Sequence, residues 1–110
     1  MTVQPKPALS ADAPDDMAEN ARDAAGYLKT LAHEGRLMIL CHLCAGEKSV
    51  SELEGLLGTR QAAVSQMLAR LREEGLVSTR RDGKTIYYSL SDGRTEQVIG
   101  LLYSLFCEKG

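Results

Sequence analysis

Apolar residues recur along this chain at two periods, and the change between them divides it into elements. Asp15 and Asp16 suit the start of a helix. Met17, Ala21, Ala24, Leu28 and Leu31 then share one side, which predicts a helix to about Leu31. A second helix is expected from about Glu34 to Ala45, with Gly46 as its stop. Its centre, Leu37-Met-Ile-Leu-Cys-His-Leu-Cys44, is apolar most of the way round, which implies burial on several sides. Ser49-Val-Ser-Glu52 reads as a capping box that opens a short helix ending near Leu57. Gly58 leads to Thr59, the expected N-cap of the next helix. Val64, Leu68 and Leu71 give that helix an apolar stripe, widened by Ala63 and Met67, and Gly75 supplies its left-handed stop. Two helices joined so tightly predict a helix-turn-helix.

Past Gly75 the period falls to two. Thr79 to Leu90 is rich in β-formers, and Asp82-Gly83 is a two-residue turn signal, so a hairpin is expected. Tyr87 and Tyr88 point to opposite faces of it, so at most one belongs to the core. Ser91 or Asp92 then caps a last helix running to about Cys107. Val98, Leu101, Leu102 and Leu105 lie on one face of that helix, extended by Ile99, Tyr103 and Phe106. Such an arc is wider than one small core requires. The excess, with the first helix, predicts the interface of a homodimer. Residues 1–14, with three prolines and little periodicity, are expected to be a flexible tail, and residues 15–110 one domain. The fold class is mainly α with a β-hairpin, the hairpin lying between the fourth and fifth helices.

At 110 residues the chain is a single small domain for which dimerisation would enlarge the core. No apolar run approaches the roughly 18 residues of a membrane span, and the polar, proline-bearing N-terminus does not read as a signal peptide. A cytoplasmic protein without a membrane partner is expected. The net charge of −2 averages over unlike parts. Residues 59–90 hold six basic and three acidic side chains, whereas residues 1–34 hold three basic and six acidic. Local charge governs phosphate contact, so this asymmetry outweighs the total.

The basic part has a polar face. Arg60, Gln61, Ser65, Gln66, Arg70 and Arg72 lie opposite the apolar stripe, with Thr59 and Ala62 at the same N-terminal end. Donors and acceptors crowded into the first two turns are what a helix needs to read base edges in the major groove. Arg80, Arg81 and Lys84 cluster towards the hairpin tip, where cations could grip phosphates. Each feature also has a plain reading: a solvated helix face, and a tip kept charged for solubility. No glycine-rich phosphate loop, nucleophile triad or paired carboxylates are recognisable, so no catalytic residues and no cofactor are expected.

Leu31-Ala-His-Glu-Gly-Arg-Leu-Met-Ile-Leu40, the AVSQMLARLREEGLV stretch at Ala63–Val77, and Val77-Ser-Thr-Arg-Arg-Asp-Gly-Lys-Thr-Ile-Tyr-Tyr-Ser-Leu90 occur in order. Together they resemble the ArsR/SmtB family of bacterial winged-helix repressors, over roughly residues 15–107. The resemblance implies a winged helix-turn-helix, a homodimer, double-stranded operator DNA as partner, and release when an inducer arrives. Members often carry Asp-Pro before the Arg-Leu pair. Here His33-Glu34-Gly35 precede Arg36, so a less well-capped helix start is expected.

The input must come from side chains this chain has. Metal-sensing members place cysteines before the recognition helix, or Asp and His on the last helix. Ser49–Leu57 has neither Cys nor His, and residues 91–107 offer only Asp92, Glu96 and Cys107, so no metal site is expected. Three cysteines remain, Cys41, Cys44 and Cys107, an odd number that argues against a disulfide framework. Positions 41 and 107 are similar to the cysteine pair of the family's persulfide-sensing members, the BigR/SqrR kind. That resemblance implies that Cys41 and Cys107 are the redox-sensing pair and that reactive sulfur is the inducer. A soft metal ion or a general oxidant is the alternative input, and a buried cysteine is often only a small apolar residue. Cys41-His-Leu-Cys44 also has the spacing of a thiol oxidoreductase. Such motifs open a helix, where the dipole lowers a thiol pKa, whereas this one sits near a helix's C-terminal end.

Overall fold

The computed structural model describes residues 14–107. The tail expected over residues 1–14 lies outside them, apart from Pro14. The elements are α1 (Pro14–Leu31), α2 (Glu34–Cys44), β1 (Lys48–Ser49), α3 (Val50–Leu57), α4 (Gln61–Glu73), β2 (Val77–Asp82), β3 (Thr85–Leu90) and α5 (Gly93–Phe106). Proline at the first helical position costs α1 nothing, because that amide has no intrahelical partner.

Two helix starts show how local chemistry sets boundaries. Ser49 accepts from the Glu52 amide at 3.1 Å and donates its own amide to Glu52 Oε1 at 2.8 Å, the reciprocal box its sequence predicts. At α2 the expectation of a weak cap is corrected. His33 is extended, and its Nδ1 accepts from the Arg36 amide at 3.2 Å, so imidazole stands in for the usual carboxylate. Arg36 then ties α2 back to α1, donating Nε–H to the Thr30 carbonyl at 2.7 Å.

The sheet has one more strand than expected. Lys48 and Ser49 pair antiparallel with Tyr88 and Tyr87, giving the order β1-β3-β2. A two-residue strand has no period to detect, and the extended backbone that makes Ser49 an N-cap also makes it a strand residue. The hairpin runs from Val77 paired with Leu90 to Asp82 paired with Thr85. Its loop is therefore Gly83-Lys84, one residue later than Asp82-Gly83, and Gly83 takes the positive φ of 66° that the turn needs.

Leu31, Ile39, Leu40, Leu43, Leu53, Val64, Leu68, Leu71, Leu76, Val77 and Ile99 form one core. α5 enters it differently from expectation. Ile99 and Thr95 are its buried residues, Val98 and Leu102 are half-buried, and Leu101 and Leu105 face solvent. On α1, Met17, Ala21, Ala24 and Leu28 are exposed as well, and only Thr30 and Leu31 are buried. Tyr27 and Arg94 fasten these helices together: the tyrosine hydroxyl is 2.8 Å from Thr95 Oγ1, and the guanidinium lies over the tyrosine ring at 5.2 Å.

Candidate nucleic-acid interface and thiol pair

The α3–α4 connection turns at Gly58, whose φ of 66° is left-handed and whose amide donates to the Glu54 carbonyl at 2.9 Å. The chain then stays extended for longer than the sequence suggests. The N-cap of α4 falls on Arg60, not Thr59, and no side chain caps the first turn. Val64, Leu68 and Leu71 are fully buried. Burying each such side chain contributes about 1.5–3 kcal/mol, so these three anchors fix which face of α4 looks outward. Ala63, expected in the stripe, is exposed instead, while Met67 is half-buried. Met67 lies close over Gly35: a Cβ there would stand 2.4 Å from the Met67 sulfur, and the methionine end would have to shift. The outward face carries Arg60, Gln61, Ala62, Ser65, Gln66 and Arg72, all exposed. Arg70 is half-buried, its Nε 3.4 Å from Glu74 one turn later. Thr59 is half-buried beside Met38 and Met67, in a crevice behind that face.

The hairpin meets α4 across an open groove lined by Gln61 from the helix and Lys84 from the tip, with Ser51 and Tyr87 between. Lys84 and Arg81 are exposed. Arg80 is not at the tip. It stands opposite Tyr87 in the ladder, its guanidinium 4.9 Å from that ring, and it grips the Glu47 carboxylate through Nε at 3.2 Å and a second nitrogen. That bond holds the Glu47 carboxyl below its ordinary value and raises the guanidinium further. Sequence reasoning missed Glu47, since nothing local relates residues 33 positions apart; β1 pairing on β3 brings them together.

The three cysteines are free thiols. Cys41 is exposed on α2, and Cys107, also exposed, is the C-cap of α5, its amide donating to the Tyr103 carbonyl at 2.8 Å. α2 packs against α5, and this brings the two thiols into one neighbourhood. Partial desolvation raises the Cys41 pKa first, and the nearby charge of Cys107 raises it further. Cys44, half-buried against the core, is raised by desolvation, then by Cys41 and Glu96. Among the described residues, no three His, Cys, Asp or Glu side chains converge as a metal-binding group.

Residues 33–79 match the model of the bacterial regulatory protein, arsR family. The biofilm growth-associated repressor of Xylella fastidiosa is 46% identical over 93 residues, which span 84% of this chain and 82% of that protein. The chain belongs to the ArsR family. Its fold overlays reduced HlyU from Vibrio cholerae with a TM-score of 0.81 at 44% identity, covering 86% of this chain and 99% of that one. It also overlays the homodimeric winged helix-turn-helix DNA-binding domain of Mb0332 from Mycobacterium bovis, with a TM-score of 0.74 at 29% identity, covering 87% and 89%. In this ArsR-family chain β2 and β3 are therefore the wing of a winged helix-turn-helix. The protein is a DNA-binding transcriptional regulator of the repressor family, not an enzyme. Among the described residues, no helix is long and apolar enough to cross a membrane.

Proposed function

We propose that this regulator is a homodimeric repressor that leaves its operator when reactive sulfur joins Cys41 to Cys107. The observation that supports the reading is that both thiols are free and exposed on two helices that pack together, with the Cys107 charge acting on Cys41. α2 leans on α4, the recognition helix, through Gly35 and Met67, while α5 carries the unpartnered apolar arc. A link between them couples the reading head to the dimer frame. Two recognition helices must span half-sites about 34 Å apart, so a small change in frame is felt at DNA. Release requires a coupling on the order of 1–3 kcal/mol.

The chemistry balances without any other oxidant. Each thiolate attacks the outer sulfur of a low-molecular-weight persulfide, becoming a protein persulfide and expelling the donor as thiolate. The terminal sulfur on Cys41 then attacks Cys107 Sγ and expels hydrosulfide, leaving a trisulfide. A tetrasulfide forms when both persulfide sulfurs are kept, with a further persulfide donor accepting the two electrons. Each added sulfur lengthens the link by roughly 2 Å, so the bridge adapts to a pair too far apart for a direct disulfide.

On the DNA side, Arg60, Gln61, Ala62, Ser65 and Gln66 approach bases or adjoining phosphates, and Arg81 and Lys84 hold the backbone from the wing. Thr59, Arg70 and Arg80 act from behind, since each is half-buried or committed to a protein partner. Arg80 fixes the wing to the Glu47 turn.

The test is intact mass after treatment with a persulfide donor, with operator affinity followed in parallel. A mass gain of one or two sulfurs, accompanied by release, is expected. Cys41→Ser and Cys107→Ser should each bind DNA normally and resist release. Full induction of Cys107→Ser, or bound metal without added sulfur, sinks the reading.

A further inference from the structure

We propose that Cys41 and Cys44 form a second redox pair, a hydroperoxide-modification site in which Cys44 resolves oxidised Cys41 as a disulfide within α2. The proposal rests on the reading of Cys41 as the reactive thiol and adds a use for Cys44. On an α-helix, residues three apart have Cα atoms about 5 Å apart. That lies inside the roughly 4.4–6.8 Å window of disulfides. The Cβ atoms of such a pair start at about 5–6 Å and must approach further. The place of the pair makes this approach feasible. Cys44 is the last residue of α2, and the helix ends by tightening: the Ala45 amide donates to His42 and the Gly46 amide to Leu43, each at 3.1 Å. These bonds close on His42 and Leu43, so the α-helical ladder already runs out at Cys44, where a helix end has the fewest bonds to give up. Only the final turn has to adjust.

The two thiols are unequal in a useful way. Cys41 is open to solvent and meets the oxidant; Cys44 is half-buried against the core and is the less accessible of the two. The Cys41 thiolate attacks a hydroperoxide, the O–O bond breaks, the alcohol or water leaves, and Cys41 becomes a sulfenic acid. The Cys44 sulfur attacks that sulfur and hydroxide leaves as water. The Cys44 proton departs with that hydroxide, so the step releases one water and needs no further acceptor. The product spans one turn of one helix. It ties nothing to α5, so it consumes peroxide without signalling, and it is undone by reduction. The same Cys41 thus signals when it is joined to α5 by reactive sulfur and stays silent when it is closed on its own helix.

Trypsin separates the possibilities. Arg36 and Lys48 release residues 37–48, which carry both Cys41 and Cys44, whereas residues 95–109 carry Cys107. In peroxide-treated full-length protein, the 37–48 peptide should be lighter by two hydrogens and refuse alkylation. Cys107 should alkylate normally and operator affinity should stay unchanged. Cys44→Ser should instead leave a Cys41 sulfenic acid that dimedone traps. A cross-link between the two peptides, or two alkylatable cysteines in 37–48, overturns the proposal. A persulfide donor is the control arm: Cys44→Ser should still be released from DNA by it. If the donor leaves Cys41 unmodified, the sulfur-sensing reading fails, while the peroxide arm still judges the intrahelical pair.

Discussion

At the scale of single residues, Cys41 shows how position sets reactivity. Partial desolvation and then the Cys107 charge disfavour its thiolate, so its pKa lies above the ordinary thiol value. At neutral pH it is therefore less ionised than an isolated thiol. Alkylation of Cys41 should keep accelerating as pH rises past the ordinary thiol pKa, without levelling there. Cys107→Ser removes the second cause and should move the midpoint down. An unchanged pH–rate profile in that variant would refute the closeness of the pair. The sign for stability follows from the same shift. The fold favours the neutral thiol, so this contribution is present below the unfolded pKa and fades as pH climbs through the folded one.

At the scale of elements, the proposed function has α4 and the wing divide the labour of recognition. Gln61 and Lys84 line one groove but sit on different elements. Gln61→Ala should alter sequence preference, with about 1–3 kcal/mol at the base it reads. Lys84→Ala should weaken binding evenly across sequences and flatten the salt slope by about one unit. Titrating both variants against an operator and a scrambled duplex at several salt concentrations checks this. A Gln61→Ala protein with unchanged affinity and preference would show that the helix is seated otherwise. The wing reaches its position because Arg80 is held by Glu47 and stacked on Tyr87, which leaves Arg81 and Lys84 to face outward.

At the scale of the molecule, one protomer leaves much apolar surface open. Leu101, Leu105 and Phe106 are 59%, 65% and 76% exposed, and Leu28 on α1 is 58% exposed. Large apolar side chains left open in this way mark an interface. Truncation before Val98 would also remove Ile99 from the core, so surface substitution is the cleaner probe. Leu101→Glu with Leu105→Glu should give a folded monomer by sedimentation, with operator affinity lost because both half-sites can no longer be held. A stable dimer from that variant would place the interface elsewhere.

The sequence alone determined whatever rests on neighbours a turn or a strand apart. The Ser49–Glu52 box, the Val64, Leu68 and Leu71 stripe, the stops at Gly46, Gly58 and Gly75, and the alternation of the hairpin are local codes. They are legible because capping, periodicity and positive φ act over a few residues. Where one local code competed with another, boundaries moved by a residue, as at Thr59 against Arg60 and Asp82-Gly83 against Gly83-Lys84. Cysteine positions were legible, but their neighbourhood was not. Only tertiary packing decided that Cys107 lies by Cys41, that Glu47 captures Arg80, that two residues make β1, and that Ile99 rather than Leu101 or Leu105 anchors α5. Each of these depends on how far apart two distant segments come to rest. That separation is set by the summed burial of the whole core, which no single stretch of the chain contains.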